Sequence, residues 1–267
     1  MITGINILRN CTTNGYPWVE SILSAYPMCG EYLVNDGGST DDTIDKLYEL
    51  SEVYTGIRVF RIPDTENIRW DSVSNQINRL IQLADGDTLF LGNADELIHE
   101  KDLMNVKRLA EGVTLRVLRF DRREIKHDWS NLSESVYHPA RIAKNVKGIY
   151  QDWNSYGGDE FLYDDGWPDP YREWRMGVIL YHLYNMFPEN YVAKLRNDAE
   201  YLAPGDKSRV ENYNHMKGTV VQYVKPRRVY GGLPALARGL PYMSKYMVRE
   251  CLFDKEWVES VTGLDYS

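Results

Sequence analysis

Residues 88–98, Thr-Leu-Phe-Leu-Gly-Asn-Ala-Asp-Glu-Leu-Ile (TLFLGNADELI), decide how this chain is read. The apolar run Leu89-Phe90-Leu91 is short and ends abruptly at Gly92, the pattern of a buried strand whose polar end emerges at one edge of a sheet. Asn93, Asp95 and Glu96 follow at once. Gathering two carboxylates and a carboxamide at such an edge costs desolvation energy unless a cation or hydrogen-bond donors meet them. A hard divalent cation carrying a phosphate ligand would do so, because such ions prefer carboxylate oxygens. Taken alone, the stretch favours a plainer reading: a strand running into a helix, with Asp95 or Glu96 in the helix's first turn.

Working outward, the residues before this stretch alternate regularly between two periodicities. Ile2–Leu8 reads as a first strand ending in Arg9-Asn10, and Trp18, Ile22, Leu23 and Tyr26 give a helical stripe closed by Gly30. Glu31–Val34 reads as a second strand ending in Asn35-Asp36-Gly37-Gly38. Ser39 and Asp42 form a capping-box pattern before a helix with Ile44, Leu47, Tyr48 and Ser51 facing inward. Ile57–Ile62 alternates as a third strand up to Pro63-Asp64. Val73, Ile77, Leu80, Ile81 and Ala84 then recur at helical spacing. Strand–helix alternation of this kind predicts a mostly parallel sheet with right-handed crossovers and a ligand site at the strands' carboxyl ends. Arg9, Asn10, Asp36, Asp64 and Asn93–Glu96 would all collect on that one edge.

Beyond it, 101–110 reads as a helix, 113–120 as a strand and 121–128 as a charged loop, with 135–142 and the residues from Gly148 extended. Twelve of the 33 aromatic residues lie between Tyr150 and Tyr191, interleaved with Gly and Asp, a texture that suits a sugar-binding wall as well as an irregular core. Gly177–Tyr181 reads as a fresh strand with His182 at its end, and Tyr191 to Leu202 as a helix. Leu236, Leu240, Tyr246, Met247, Cys251 and Leu252 suggest amphipathic helices.

The 267 residues carry a formal net charge of −8, which argues against a general nucleic-acid coat. The charge is uneven: residues 205–267 hold 10 Lys and Arg against 7 Asp and Glu, so the tail is basic on an acidic body. Its Lys225, Arg227 and Arg228 suit contact with an anionic acceptor or membrane surface. Three cysteines without metal spacing fit a reducing cytoplasm, and no apolar run is long enough to span a bilayer. The location expected is cytoplasmic, with peripheral membrane contact through the tail, and Leu233–Leu252 offers an apolar face to a homodimer.

Val34-Asn35-Asp36-Gly37-Gly38-Ser39-Thr40-Asp41-Asp42-Thr43 resembles the VDDGSTDDT signature of family 2 glycosyltransferases, which have the GT-A fold. Asn93-Ala94-Asp95-Glu96 stands where that family has its D-x-D motif, and Gly86-Asp87 resembles its usual run-up. The resemblance covers about the first 110 residues. It implies an α/β GT-A fold: a nucleotide-sugar-binding half over 1–112, an acceptor-binding half over 113–204 and a basic, mainly helical extension over 205–267. It also implies inverting transfer of a sugar from a nucleotide sugar, with UDP preferred. By position, Asp36 resembles the nucleobase and ribose carboxylate, with Arg9, Asn10, Asp64, Asn75 and Asn93 assigned to the same cofactor-binding set. Asp95 resembles the metal-holding carboxylate, and His182 a histidine that some GT-A enzymes add to the metal. A departing nucleoside diphosphate needs such an ion, and an imidazole beside a carboxylate tilts the choice to Mn²⁺ over Mg²⁺. An acceptor hydroxyl needs a general base, for which Asp159 is preferred over Asp152 and Glu160. Asn93 departs from the motif's first Asp, so a nucleotide-sugar binder without turnover is the competing reading, and nucleotidyl transfer a third. The acceptor is left open among glycan, lipid and modified nucleic acid.

Overall fold

A computed structural model describes residues 1–62, 70–112, 116–125, 137–151, 161–163, 173–183, 233–238, 240 and 246–267. The first half follows the alternation expected of it. Strand β1 (Ile2–Leu8) leads to helix α1 (Trp18–Ala25), and β2 (Glu31–Asp36) to α2 (Thr43–Val53). Then β3 (Ile57–Phe60) precedes α3 (Trp70–Leu83) and β4 (Thr88–Leu91). Next come β5 (Glu96–Ile98), α4 (Glu100–Gly112), β6 (Val117–Glu124) and β7 (Ala140–Lys144). A separate hairpin of β8 (Ile149–Gln151) and β9 (Phe161–Tyr163) precedes β10 (Glu173–His182), and α5 (Lys255–Thr262) closes the chain. No helix among the described residues is long and apolar enough to cross a membrane.

The main sheet has eight strands in the order β3-β2-β1-β4-β7-β6-β10-β5. Only β7 and the edge strand β5 run against the rest, so the sheet is mixed but mostly parallel, with helices packed on it as predicted. Two apolar clusters cover it. One unites Trp18, Ile22 and Leu23 of α1 with Leu103 and Val106 of α4 and with Val34, Phe90, Phe120 and Leu180 of the sheet. The other sets Ile77, Leu80 and Ile81 of α3 on Ile5, Leu33, Leu89 and Leu91. Each such side chain, fully buried, contributes about 1.5–3 kcal/mol.

The chain's last described segment is part of the first cluster. Tyr26, Tyr54 and Tyr266 form an aromatic trio, with Tyr26 and Tyr266 stacked at 6.0 Å between ring centroids. The Tyr54 hydroxyl donates to the Leu252 carbonyl at 2.8 Å, and the Tyr266 hydroxyl to the Leu23 carbonyl at 2.9 Å. Glu20 of α1 is fully buried and accepts from Tyr246 Oη at 2.9 Å and Arg249 Nε at 3.2 Å. Thus all eight residues of α1 are buried: the sheet covers one side and the C-terminal segment the other.

Several local expectations are corrected. Asp95 and Glu96 do not open a helix; Glu96–Ile98 pairs with β10, and the helix starts only at Glu100. Ser39 and Asp42 make no capping box, because α2 starts at Thr43 and Ser39 Oγ instead accepts from the Asn10 amide. Tyr48 is exposed and Leu50 takes the inward position. Asp121–Glu124 is strand, not loop, since it pairs with Ile179–His182. Strand β10 begins at Glu173, and Gly177 (φ +68°) marks the register shift inside it, not its start. Ahead of α5, the described residues from Leu233 on include the short 3₁₀ turns Ala235–Ala237 and Glu250–Phe253, and part of the stretch on which amphipathic helices are expected lies outside the described residues. The expected helix from Tyr191 and the basic cluster at Lys225, Arg227 and Arg228 lie outside the described residues.

Candidate active site

Parallel strands β1, β2 and β4 deliver their carboxyl ends to one edge. There the loops after β1 and β2 are cross-linked into one platform. Asn10 adopts φ +48°, a left-handed conformation that Asn tolerates better than most residues. Its amide donates to Ser39 Oγ at 2.9 Å, and its side-chain oxygen accepts from the Thr40 amide at 2.7 Å. Arg9 Nη1 donates to the Gly37 carbonyl at 3.2 Å, and the Gly37 amide to the Leu8 carbonyl at 2.8 Å. Asp36 is fully buried, its carboxylate accepting from the Gly38 and Ser39 amides at 3.1–3.2 Å, with Arg61 Nε 3.8 Å away. The Asp-Gly-Gly-Ser run therefore shapes its own loop as well as ending β2. Asp41, not Asp42, caps the start of α2 with its side chain: it accepts from the Thr13 and Thr43 amides at 2.8 and 3.0 Å.

The turn after β4 is held from α1. Ser21 Oγ donates to the Asn93 carbonyl at 2.5 Å, while Ser24 Oγ accepts from the Ile98 amide at 3.1 Å. The Leu183 amide donates to the Asp95 carbonyl at 2.8 Å, so the end of β10 is tied to the same turn. This brings His182 to Asp95, Nε2 to Oδ2 at 3.4 Å, although 87 positions separate them in the chain. Glu124, directly across from His182 in the sheet, lies 3.7 Å from Nδ1. Burial opposes an imidazolium here, but Asp95, Glu124 and Glu96 together outweigh it and raise the His182 pKa to about 9.

Glu96 faces a different partner. Arg141 Nε and Nη2 grip its two oxygens at 2.7 and 2.9 Å, and Arg122 Nη1 adds a contact at 3.3 Å. Burial works against the Glu96 carboxylate, yet the two guanidiniums and His182 hold its pKa below the usual range. Arg122 in turn lies 4.6 Å under the Tyr137 ring.

Of the expected site residues, the structure gathers Arg9, Asn10 and Asp36 on the platform, and Asn93, Asp95 and His182 at the neighbouring turn. Asn75 lies on the exposed side of α3. Asp64, Asp152, Asp159 and Glu160 lie outside the described residues. Sequence reasoning missed Ser21, Ser24, Glu124, Arg122 and Arg141. Arg141 had left a signal: a cation inside the apolar run Ala140-Arg141-Ile142-Ala143 requires a buried anion. Among the described residues no group of three or more His, Cys, Asp or Glu is set to hold a metal. Asp95 and His182 are a two-donor pair, one oxygen and one nitrogen. Oxygen and nitrogen donors of this kind could hold a divalent ion only in part, so any such ion would need further ligands from elsewhere.

No protein-family model matches the chain, and no curated protein sequence matches it. Solved structures do. The chain is similar to Staphylococcus aureus TarS 1–349 in complex with UDP-GlcNAc, at 15% identity and TM-score 0.48, over 80% of this chain and 70% of that one. It is similar to the mannosyltransferase PcManGT from Pyrobaculum calidifontis in complex with GDP-Man and Mn²⁺, at 16% identity and TM-score 0.47, over 81% and 68%. A third likeness is to glucosyl-3-phosphoglycerate synthase from Mycobacterium tuberculosis, at 16% identity and TM-score 0.40, over 68% and 70%. Against a longer TarS structure the chain spans 42% of that protein's length.

Proposed function

We propose that this chain is a metal-dependent, inverting glycosyltransferase that moves a sugar from a nucleotide-sugar donor, UDP-activated, to an acceptor hydroxyl. The observation that carries the reading is the meeting of Asp95 and His182 at 3.4 Å, beside the cross-linked Arg9–Asn10 and Asp36–Thr40 loops at the strands' carboxyl ends. A parallel sheet binds ligands at that edge. Asp95 and His182 would hold Mn²⁺ or Mg²⁺, which when bound supplies Lewis-acid neutralisation of the departing diphosphate. Asp36, Arg9, Asn10 and Asn93, with Asp64 and Asn75, are assigned to the nucleotide. Asp159 is assigned the acceptor's proton ahead of Asp152 and Glu160, so that the base belongs to the acceptor-facing part of the chain. The hydrogen bonds between the two loops would hold the assigned groups oriented before the donor arrives, which would lower the cost of binding.

One observation favours a second reading, a nucleotide-sugar binder without turnover: Asn93 replaces a carboxylate, leaving a two-donor pair. Titration calorimetry of UDP-glucose, UDP-N-acetylglucosamine and GDP-mannose, with and without Mn²⁺, followed by assay of released nucleoside diphosphate, separates the two. Mn²⁺-dependent binding with release supports transfer; binding without release across acceptors supports the binder. Asp95→Ala is expected to abolish the Mn²⁺-dependent part while leaving the fold intact, and unchanged binding would sink the central assignment.

A further inference from the structure

The clamp on Glu96 is more than the edge strand's pairing requires. Strand β5 is three residues long and lies at the sheet's outer edge, with β10 as its partner. So short an edge strand has few ladder bonds with which to fix the residue before it, and that residue is Asp95. Arg141 reaches Glu96 from β7, the third strand along from β5. Arg141 is fully buried and the Glu96 side chain is 2% exposed. A buried ion pair is weak evidence for stability, since its desolvation cost offsets most of the attraction. A two-pronged guanidinium–carboxylate contact does, however, fix both position and orientation, which a point charge cannot do. Arg122 contributes the third bond, and the Leu183 amide holds the Asp95 carbonyl. Backbone and side-chain restraints from β6, β7 and the end of β10 therefore converge on the Asp95-Glu96 peptide.

We propose that Arg141 is a positioning residue for Asp95, acting through Glu96. This rests on the reading of Asp95 as a metal-holding carboxylate. Residues behind a metal's own ligands set how those ligands are aimed, and losing one typically costs about 10- to 100-fold in metal affinity. Arg141 touches neither metal nor nucleotide in this role; it keeps the β5 end from drifting away from His182.

The test compares wild-type protein with Arg141→Lys, which retains charge but loses the fork, and with Glu96→Gln, which retains shape but loses charge. Mn²⁺ binding is measured by electron paramagnetic resonance in the presence of UDP, and amide hydrogen exchange is measured without metal. The expected result in both variants is Mn²⁺ affinity lower by about 10- to 100-fold. Exchange at the Leu183 amide should be faster by at least about tenfold, while the Gly92 amide bonded to Ile5 keeps its protection. Wild-type affinity and wild-type Leu183 exchange in the variants would overturn the proposal and leave the metal reading of Asp95 standing. Equal acceleration at Gly92 and Leu183 would denote general loosening and overturn it too. If wild-type protein shows no Mn²⁺-dependent binding of UDP, the metal reading itself fails and this proposal falls with it.

Discussion

Replacing Arg249 with Met should destabilise the protein through a residue 229 positions away, Glu20. Glu20 is fully buried and Arg249 keeps only 14% of its side chain exposed. Arg249 donates from Nε at 3.2 Å, places Nη2 3.1 Å from the same carboxylate oxygen and also donates to the Leu236 carbonyl. Stripping one partner from a buried ion pair costs about 3–5 kcal/mol. The Tyr246 hydroxyl remains as a donor, so the lower end, about 3 kcal/mol, is expected, or a fall in melting temperature of roughly 6–12 °C for a chain of this size. The loss should depend on pH with a definite sign. Burial raises the Glu20 pKa above its ordinary 4.5, and Arg249 partly offsets this. A carboxyl whose folded pKa exceeds its unfolded one weakens the fold as pH rises from the unfolded value through the folded one. Removing Arg249 widens that gap, so the variant's deficit should be smaller at about pH 4 than at about pH 8. Adding Glu20→Gln should recover much of it. Denaturant melts at both pH values, with and without Glu20→Gln, decide the matter. An equal deficit at both pH values, or no recovery by Gln, would falsify the buried-charge account.

Local geometry sets two further outcomes. Gly92→Ala places a Cβ 2.7 Å from the Tyr32 hydroxyl and 3.3 Å from Asn6 Nδ2, so a loss of about 1–3 kcal/mol is expected in a thermal melt; Tyr32→Phe in the same chain should restore part of it. For Glu31, burial opposes the carboxylate, but Thr3, the Asp85 amide and Arg58 hold its pKa below 4.5. Its contribution is present above about pH 4.5 and is lost as pH falls through the folded value, so the stability gap between wild type and Glu31→Gln should close on acidification.

The fold of the chain's first half could be read directly from the sequence, because its information is local. The apolar run Ile2–Leu8, the short run Glu31–Val34, the alternation of Ile57–Ile62 and the helical spacing of Val73–Ala84 each name one element, and their order implies the parallel sheet. The same logic placed Arg9, Asn10, Asp36 and Asp95 on one edge. It failed where the cause lies far along the chain. Glu20 lies off the stripe of Trp18, Ile22, Leu23 and Tyr26, and its burial is met by side chains far along the chain, Tyr246 and Arg249. Glu96 beside Asp95 suggested a helix's first turn, whereas pairing with β10 and the grip of Arg141 make it strand. Ser39 and Asp42 matched a capping pattern, but the neighbouring loop competes for the serine and wins.

The pairing of β5 with β10 carries a consequence for the order of assembly. During synthesis the Glu96–Ile98 segment is made roughly eighty residues before the Leu180–His182 segment that pairs with it. Strands β1, β2 and β3 can meanwhile pair in sequence, each with a partner under about thirty residues away, and contacts of long sequence separation form late. A nascent or prematurely ended chain would thus carry a nearly complete Arg9–Asp36 platform while Asp95 still lacks His182. The edge where these residues meet would be assembled in two instalments, the second only when the polypeptide has grown past position 182.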